Sequence, residues 1–171
     1  MEDCKTNRRL RLFDLFYHYR EVEMSEITNY LSACNLKVSQ RTIGRDIQFL
    51  KRAGLIQTRY SKKYKAYEPL EKDGFLVPRD GKYPPLELPK ERSKALYMEK
   101  IIRLCTLMTE MIIAEVEDPV DWYRKRYPTL SDRTRQRDFK QLREVDYKVV
   151  YAAADEWGPG KYCYEYPGKS F

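Results

Sequence analysis

Residues 39–55 read SQRTIGRDIQFLKRAGL, and residues 131–147 read SDRTRQRDFKQLREVDY. Ser39, Arg41, Thr42, Arg45, Asp46 and Leu50 recur as Ser131, Arg133, Thr134, Arg137, Asp138 and Leu142, at a constant offset of about 92 residues. In the first copy Ile43, Ile47 and Leu50 follow i, i+4, i+7 spacing, which puts one apolar face on a helix. Ser39 offers a side-chain N-cap and Gly54 a C-terminal stop. Arg41 and Arg45 then lie one turn apart on the polar side, with Thr42 and Gln48 on or beside that face. A capped helix with arginines at this spacing has the form that reads base edges in the major groove of DNA.

Working outward, Leu10, Leu12, Phe13, Leu15, Phe16 and Tyr19 predict a first helix. Arg20-Glu21-Val22-Glu23 breaks it and suits a short strand. Ser25 is the expected N-cap of a second helix carrying Ile27, Tyr30 and Leu31, which ends at Asn35. After the helix capped by Ser39, Leu55–Tyr60 and Tyr64–Tyr67 read as two strands around the turn Ser61-Lys62-Lys63. Helix, helix–turn–helix and basic hairpin is the order of a winged helix-turn-helix, over residues 1–68.

Residues 69–92 hold Pro69, Pro78, Pro84, Pro85 and Pro89 with Gly74 and Gly81, the composition of a linker or an extended strap. Phe75, Leu76 and Val77 are its apolar anchors, able to pack on either flank. Residues 93–171 read as a second unit. A long helix runs from about Glu91 to Glu117 with the stripe Ile101, Leu104, Cys105, Met108, Met111 and Ile112. Asp118-Pro119 stops it and opens a helix with Trp122 and Tyr123, which align with Tyr30 and Leu31. Pro128 ends that helix. Ser131 caps the repeated one, and a hairpin follows from Lys148–Ala154, through Asp155–Lys161, to Tyr162–Tyr166. The expected fold is mainly α with small β-hairpin wings, as tandem winged helix-turn-helix domains.

Composition narrows the partner. The chain carries net charge +7 with 35% charged and 42% apolar residues, enough for small cores but not for one large enzyme core. The charge is clustered: residues 39–65 hold Arg41, Arg45, Lys51, Arg52, Arg59, Lys62, Lys63 and Lys65 against Asp46 alone. Residues 124–143 repeat the bias, with Asp132 and Asp138 as the acids. Such clusters suit a polyanion. Cys4, Cys34, Cys105 and Cys163 form no CxxC pair and His18 is the lone histidine, so neither a zinc site nor another cofactor is expected. Reduced thiols, a charged N-terminus and no apolar run long enough to span a bilayer suggest a cytoplasmic, nucleoid-associated protein with no membrane partner. No acid–base pair or nucleophile constellation suggests an enzyme.

The stretch SQRTIGRDIQFLKRAGLI, with its serine, RT pair, RD pair and closing G-L-I, resembles the recognition helix and wing start of DeoR-type winged helix regulators. It is equally similar to the N-terminal domain of bacterial WYL-domain regulators. The resemblance covers residues 8–68, and residues 98–167 more weakly as a degenerate second copy. It implies a compact bacterial transcription regulator, and by match gives Ser39, Arg41, Thr42 and Arg45 an operator-binding role. Those regulators usually carry a C-terminal sensor or WYL domain; this chain has a second winged helix-like unit there, so ligand sensing does not transfer.

The expected function is thus sequence-specific binding of double-stranded operator DNA. The expected contacts are Ser39, Gln40, Arg41, Thr42, Arg45 and Gln48 on the helix, Arg59, Lys62, Lys63 and Lys65 on the wing, and Arg133, Thr134, Arg137 and Lys140 on the second copy. Either the two units act in tandem or the helix 91–117 forms a homodimer. The second copy departs from the pattern. Arg135 stands where Ile43 faces the core, and Asp155, Glu156 and Trp157 stand at the wing tip. These departures favour a rival reading, a protein-interaction adaptor built from winged helices.

Overall fold

The computed structural model describes residues 2–70, 74–76, 86–113, 118–156 and 158–165. The chain is mixed α/β, 55% helical, with six helices and two small antiparallel sheets among the described residues. It divides into two compact units, residues 1–105 and 106–171.

The first unit starts with α1 (Glu2–His18), β1 (Val22–Glu23) and α2 (Met24–Ala33). Next come α3 (Gln40–Arg52), β2 (Thr58–Ser61) and β3 (Ala66–Pro69). Its three strands run in the order β1-β3-β2, all antiparallel, with Val22 opposite Tyr67 and Ser61 opposite Ala66. The apolar spacing seen in the sequence is the core: Leu10, Leu12, Phe13, Phe16, Ile27, Leu31, Ile43, Ile47 and Leu50 are all buried. The N-terminal part of α4 (Arg92–Ile113) belongs to this unit as well, because Tyr97 packs on Phe49 with ring centroids 5.7 Å apart.

Three expectations shift. The cap of α2 is Glu23, not Ser25: Glu26 accepts the Glu23 backbone N–H at 2.7 Å, and Ser25 donates its hydroxyl to the Glu23 carboxylate. Pairing of Val22 and Glu23 with β3 holds the chain extended up to that point, so the helix can start only there. The first hairpin begins at Thr58 rather than Leu55, since Ile56 bridges Leu76 and Gln57 donates its backbone N–H to Phe75 at 2.7 Å. Phe75 is buried against Phe16, so this part of the proline-rich stretch is a packed strap of the first unit. Val77, Pro78, Gly81, Pro84 and Pro85 lie outside the described residues.

The second unit holds the rest of α4, then α5 (Pro119–Arg126), α6 (Asp132–Arg143) and the hairpin β4 (Lys148–Ala152) with β5 (Lys161–Glu165). Asp118 caps α5 by accepting from Val120 and Asp121, with Pro119 in the first turn. Leu107, Met108, Met111, Val120, Tyr123, Leu142, Val145 and Tyr147 form its core. The ends expected at Glu117, Tyr166 and Pro167 fall outside the described residues, as does Trp157.

The internal repeat is a repeat of geometry at α3 and α6. Ser39 has φ −69 and ψ 153, Ser131 has φ −70 and ψ 154, and each accepts the N–H of the threonine three residues on at 3.3 Å. The C-terminal ends match too. Leu55 and Gly54 donate to Leu50 and Lys51, and Tyr147 and Asp146 donate to Leu142 and Arg143 in the same pattern. Gly54 takes the left-handed conformation this turn requires at φ 66, and Asp146 takes it at φ 70.

Candidate nucleic-acid interface

α3 buries one face and turns the other outward because its polar and apolar residues segregate at helical spacing. Ser39, Gln40, Arg41, Arg45 and Gln48 are exposed, and Thr42 is half-buried with its hydroxyl 3.1 Å from that of Ser39. Between this face and the β2–β3 hairpin lies a recess of 430 Å³. Arg41, Gly44, Arg45, Gln48, Lys51 and Arg52 line it from the helix, and Thr58, Tyr60 and Tyr67 from the strands. Lys51 donates to the Thr58 carbonyl at 2.7 Å, fixing the helix to the strand at the recess wall.

Charge in this face is uncompensated. No carboxylate lines the recess, and neither Arg41 nor Arg45 has an ion pair among the described residues. The one acid of α3, Asp46, points the other way. It is 2% exposed, and Arg8 and Arg9 of α1 both donate to it, Arg9 Nε at 2.8 Å. Asp46, the lone acid of residues 39–65, is thus turned into the core against α1 and away from Arg41 and Arg45.

The hairpin contributes differently. Lys62, Lys63 and Lys65 are exposed in its turn, outside the recess itself. Lys63 lies over the Tyr64 ring at 4.7 Å. Arg59 faces Glu68 across the strands and donates to it at 3.1 Å, so its charge is partly matched. An exposed pair of this kind contributes little to stability.

On the second copy Arg133, Arg137 and Lys140 are exposed and Thr134 is half-buried beside Ser131. The first turn of α6 is acidic, however. Arg124 grips Asp132 with two N–H donors at 3.0 and 3.2 Å, and Arg135 adds a third at 3.2 Å. These hydrogen bonds, that of Arg124 foremost, hold the Asp132 carboxyl down at about 2. Arg135, at the position of Ile43, stays largely buried, its side chain 11% exposed, and its guanidinium reaches Asp132 and lies 5.6 Å from the Phe139 ring centroid. Asp155 and Glu156 are exposed at the hairpin tip, and Tyr151 and Tyr162 meet edge to face on the hairpin surface, 61% and 40% exposed.

Lys51, Arg52 and Tyr67 are recess residues that the sequence reading did not single out as contacts. The signal for Arg52 was present: 41, 45, 48 and 52 follow one helical stripe. Among the described residues no group of three or more His, Cys, Asp or Glu is placed to hold a metal ion, and no helix is long and apolar enough to cross a membrane. The four cysteines are free thiols, and burial pushes the Cys105 thiol well up. Comparison of the chain with protein-family models, curated proteins and solved structures found no match.

Proposed function

We propose that the chain is a transcriptional regulator that binds double-stranded DNA in a sequence-specific manner, with residues 1–68 as a winged helix-turn-helix reading head. The observation that carries this reading is the outward face of α3: among the described residues, Arg41 and Arg45 are exposed without ion pairs and no carboxylate lines their recess. Arginine at such a face can grip guanine O6 and N7 with two parallel hydrogen bonds, worth about 1–3 kcal/mol of discrimination per pair. Ser39 and Gln40 at the helix N-terminus suit a phosphate. Lys62, Lys63 and Lys65 in the hairpin turn suit flanking phosphates or the minor groove.

The second unit is read as a degenerate winged helix in which Arg133, Thr134, Arg137 and Lys140 meet the same duplex. Asp132, Asp155 and Glu156 weaken that half of the proposal, and the exposed edge-to-face pair Tyr151 and Tyr162 favours a protein contact there. The rival function, an interaction adaptor, rests on these features.

Selection from a pool of random duplexes at two salt concentrations tests both. Wild type, Arg41→Ala/Arg45→Ala and Arg133→Ala/Arg137→Ala are compared. An enriched motif lost in both double variants supports two reading heads; loss in the first alone makes the second unit an assembly module. A palindromic motif indicates a homodimer through α4, and an asymmetric one a tandem monomer. If no motif emerges and binding vanishes at physiological salt, the adaptor reading replaces the regulator.

A further inference from the structure

Within the first unit, α1, α3 and the start of α4 border an open cavity of 1040 Å³, whose described lining comes from residues between Cys4 and Lys100. Its size is that of sites for small organic ligands. Two features set it apart from a packing defect. Among the described residues six cations line it, Lys5, Arg8, Arg9, Arg52, Lys94 and Lys100, and no carboxylate does; Lys94 pairs with Glu91 just outside, at 2.6 Å. Between them stand Phe49, Leu96, Tyr97 and Met98, so one wall is apolar and partly aromatic.

Arg9 is the centre of the argument. The residue is 6% exposed. Its Nε donates to Asp46 at 2.8 Å, and its guanidinium lies over the Phe49 ring, 3.5 Å from the centroid, with Tyr97 at 5.2 Å. Yet Nη1 is buried with no hydrogen-bond partner. A buried charged donor left unmet is costly, and native folds rarely leave one so. Arg8 and Arg9 also share one carboxylate, Asp46, leaving the pair with a net positive charge. A water molecule would satisfy Nη1, but it carries no charge to balance two guanidinium groups that share one carboxylate.

We propose that this cavity binds a small organic anion with a planar body, the chemistry of a nucleoside phosphate. The anionic group sits on Arg9 Nη1 with Arg8 and Lys94, and the planar body lies against Phe49, Tyr97 and Leu96. A guanidinium already stacked on an aromatic face is oriented for such a ligand before it arrives. The site is distinct from the outward face of α3 carrying Arg41 and Arg45, and it does not depend on DNA binding.

The test is calorimetric titration of the full chain with AMP, ATP and inorganic pyrophosphate at physiological salt. A nucleotide is expected to bind one per chain with Kd below about 100 μM, and pyrophosphate at least about tenfold more weakly. Arg9→Lys keeps the charge but loses the planar fork, and is expected to weaken the nucleotide at least about tenfold. Should that variant fail to fold, Lys94→Glu/Leu96→Glu carries the same expectation, because both residues are exposed and lie outside the core. Arg41→Ala/Arg45→Ala is expected to bind as wild type. Arg52 borders both the cavity and the α3 recess and is left unchanged. The proposal is overturned if neither nucleotide binds, if pyrophosphate binds as well as they do, if the cavity variants bind as wild type, or if the Arg41/Arg45 variant loses binding equally.

Discussion

Tyr123 donates its hydroxyl to Asp138 at 2.7 Å, and in the first repeat the equivalent Asp46 is met by Arg8 and Arg9 instead. The two aspartates stand at the same place in α3 and α6, and both are 2% exposed. A buried carboxylate is tolerated only with partners. One copy uses guanidinium groups 37 and 38 residues away; the other has among its partners a neutral hydroxyl 15 residues away. Removing the charge from Asp46 leaves two largely buried cations without their counter-ion. Asp46→Asn is therefore expected to cost about 3–5 kcal/mol. Tyr123→Phe removes one neutral donor and is expected to cost about 1–3 kcal/mol. Urea unfolding of both variants checks the order. Equal costs would mean that the ion pairs contribute no more than the single hydroxyl.

The parts of this fold that were legible in the sequence are those decided locally. Ser39, Ser131 and Asp118 cap helices as side-chain chemistry demands, and Ile43, Ile47 and Leu50 face inward at their helical period. The parts that were not legible depend on distant chain. Ser25 is the better cap by residue type, yet pairing of Val22 with Tyr67 moves the start of α2 to Glu23. Nothing near Asp46 announced Arg8 and Arg9, which lie 38 and 37 residues away in the chain. At the site, the outward arginines were readable from spacing. The recess and the cavity were not, because each needs side chains from elements far apart in the chain.

Gly44 interrupts α3 on the recess wall, between Arg41 and Arg45. A Cβ added there meets nothing within 4 Å, and no unusual backbone angle holds the position. Gly44→Ala is thus expected to stabilise the helix by about 0.5–1 kcal/mol. If DNA approaches this face, the added methyl stands in its way, and affinity is expected to fall while stability rises. Thermal unfolding and duplex binding measured on the same preparation read the two effects. A variant that is both more stable and equally tight would show that the glycine keeps no space for a duplex.

The turn after each repeated helix needs one left-handed residue, and the copies fill it differently. Gly54 adopts φ 66 at no steric cost, whereas an alanine there would be strained although space is open around it. Gly54→Ala is expected to destabilise the first unit by about 1 kcal/mol, through the backbone alone. Gly54→Asn is expected to cost less, since asparagine tolerates this conformation better than alanine. Chemical denaturation separates the two. Equal losses would point to a lost contact rather than to backbone conformation.

Tyr30 of α2 carries a phenol pushed up to about 12, by burial first and by Asp14 next, with Arg11 opposing through a hydrogen bond. Its ordinary value is 10.0, so the folded state holds the proton more tightly than the unfolded chain does. The resulting stability is fully present below pH 10. It is lost as the pH rises toward 12, because the unfolded chain releases the proton first. Two units correspond to a ceiling of about 2.7 kcal/mol, and the partial exposure of the ring reduces this to about 1 kcal/mol. Tyr30→Phe has no proton to lose. At pH 8 it is expected to be less stable than wild type, lacking the hydrogen bond with Arg11. By pH 11 that deficit is expected to shrink or reverse, as wild type alone loses its phenol term. Other raised tyrosines, Tyr17, Tyr67, Tyr97 and Tyr164, titrate in both proteins and cancel in the difference. Urea unfolding of the pair at the two pH values measures it. A difference that stays constant from pH 8 to pH 11 would show that folding does not hold the Tyr30 phenol neutral.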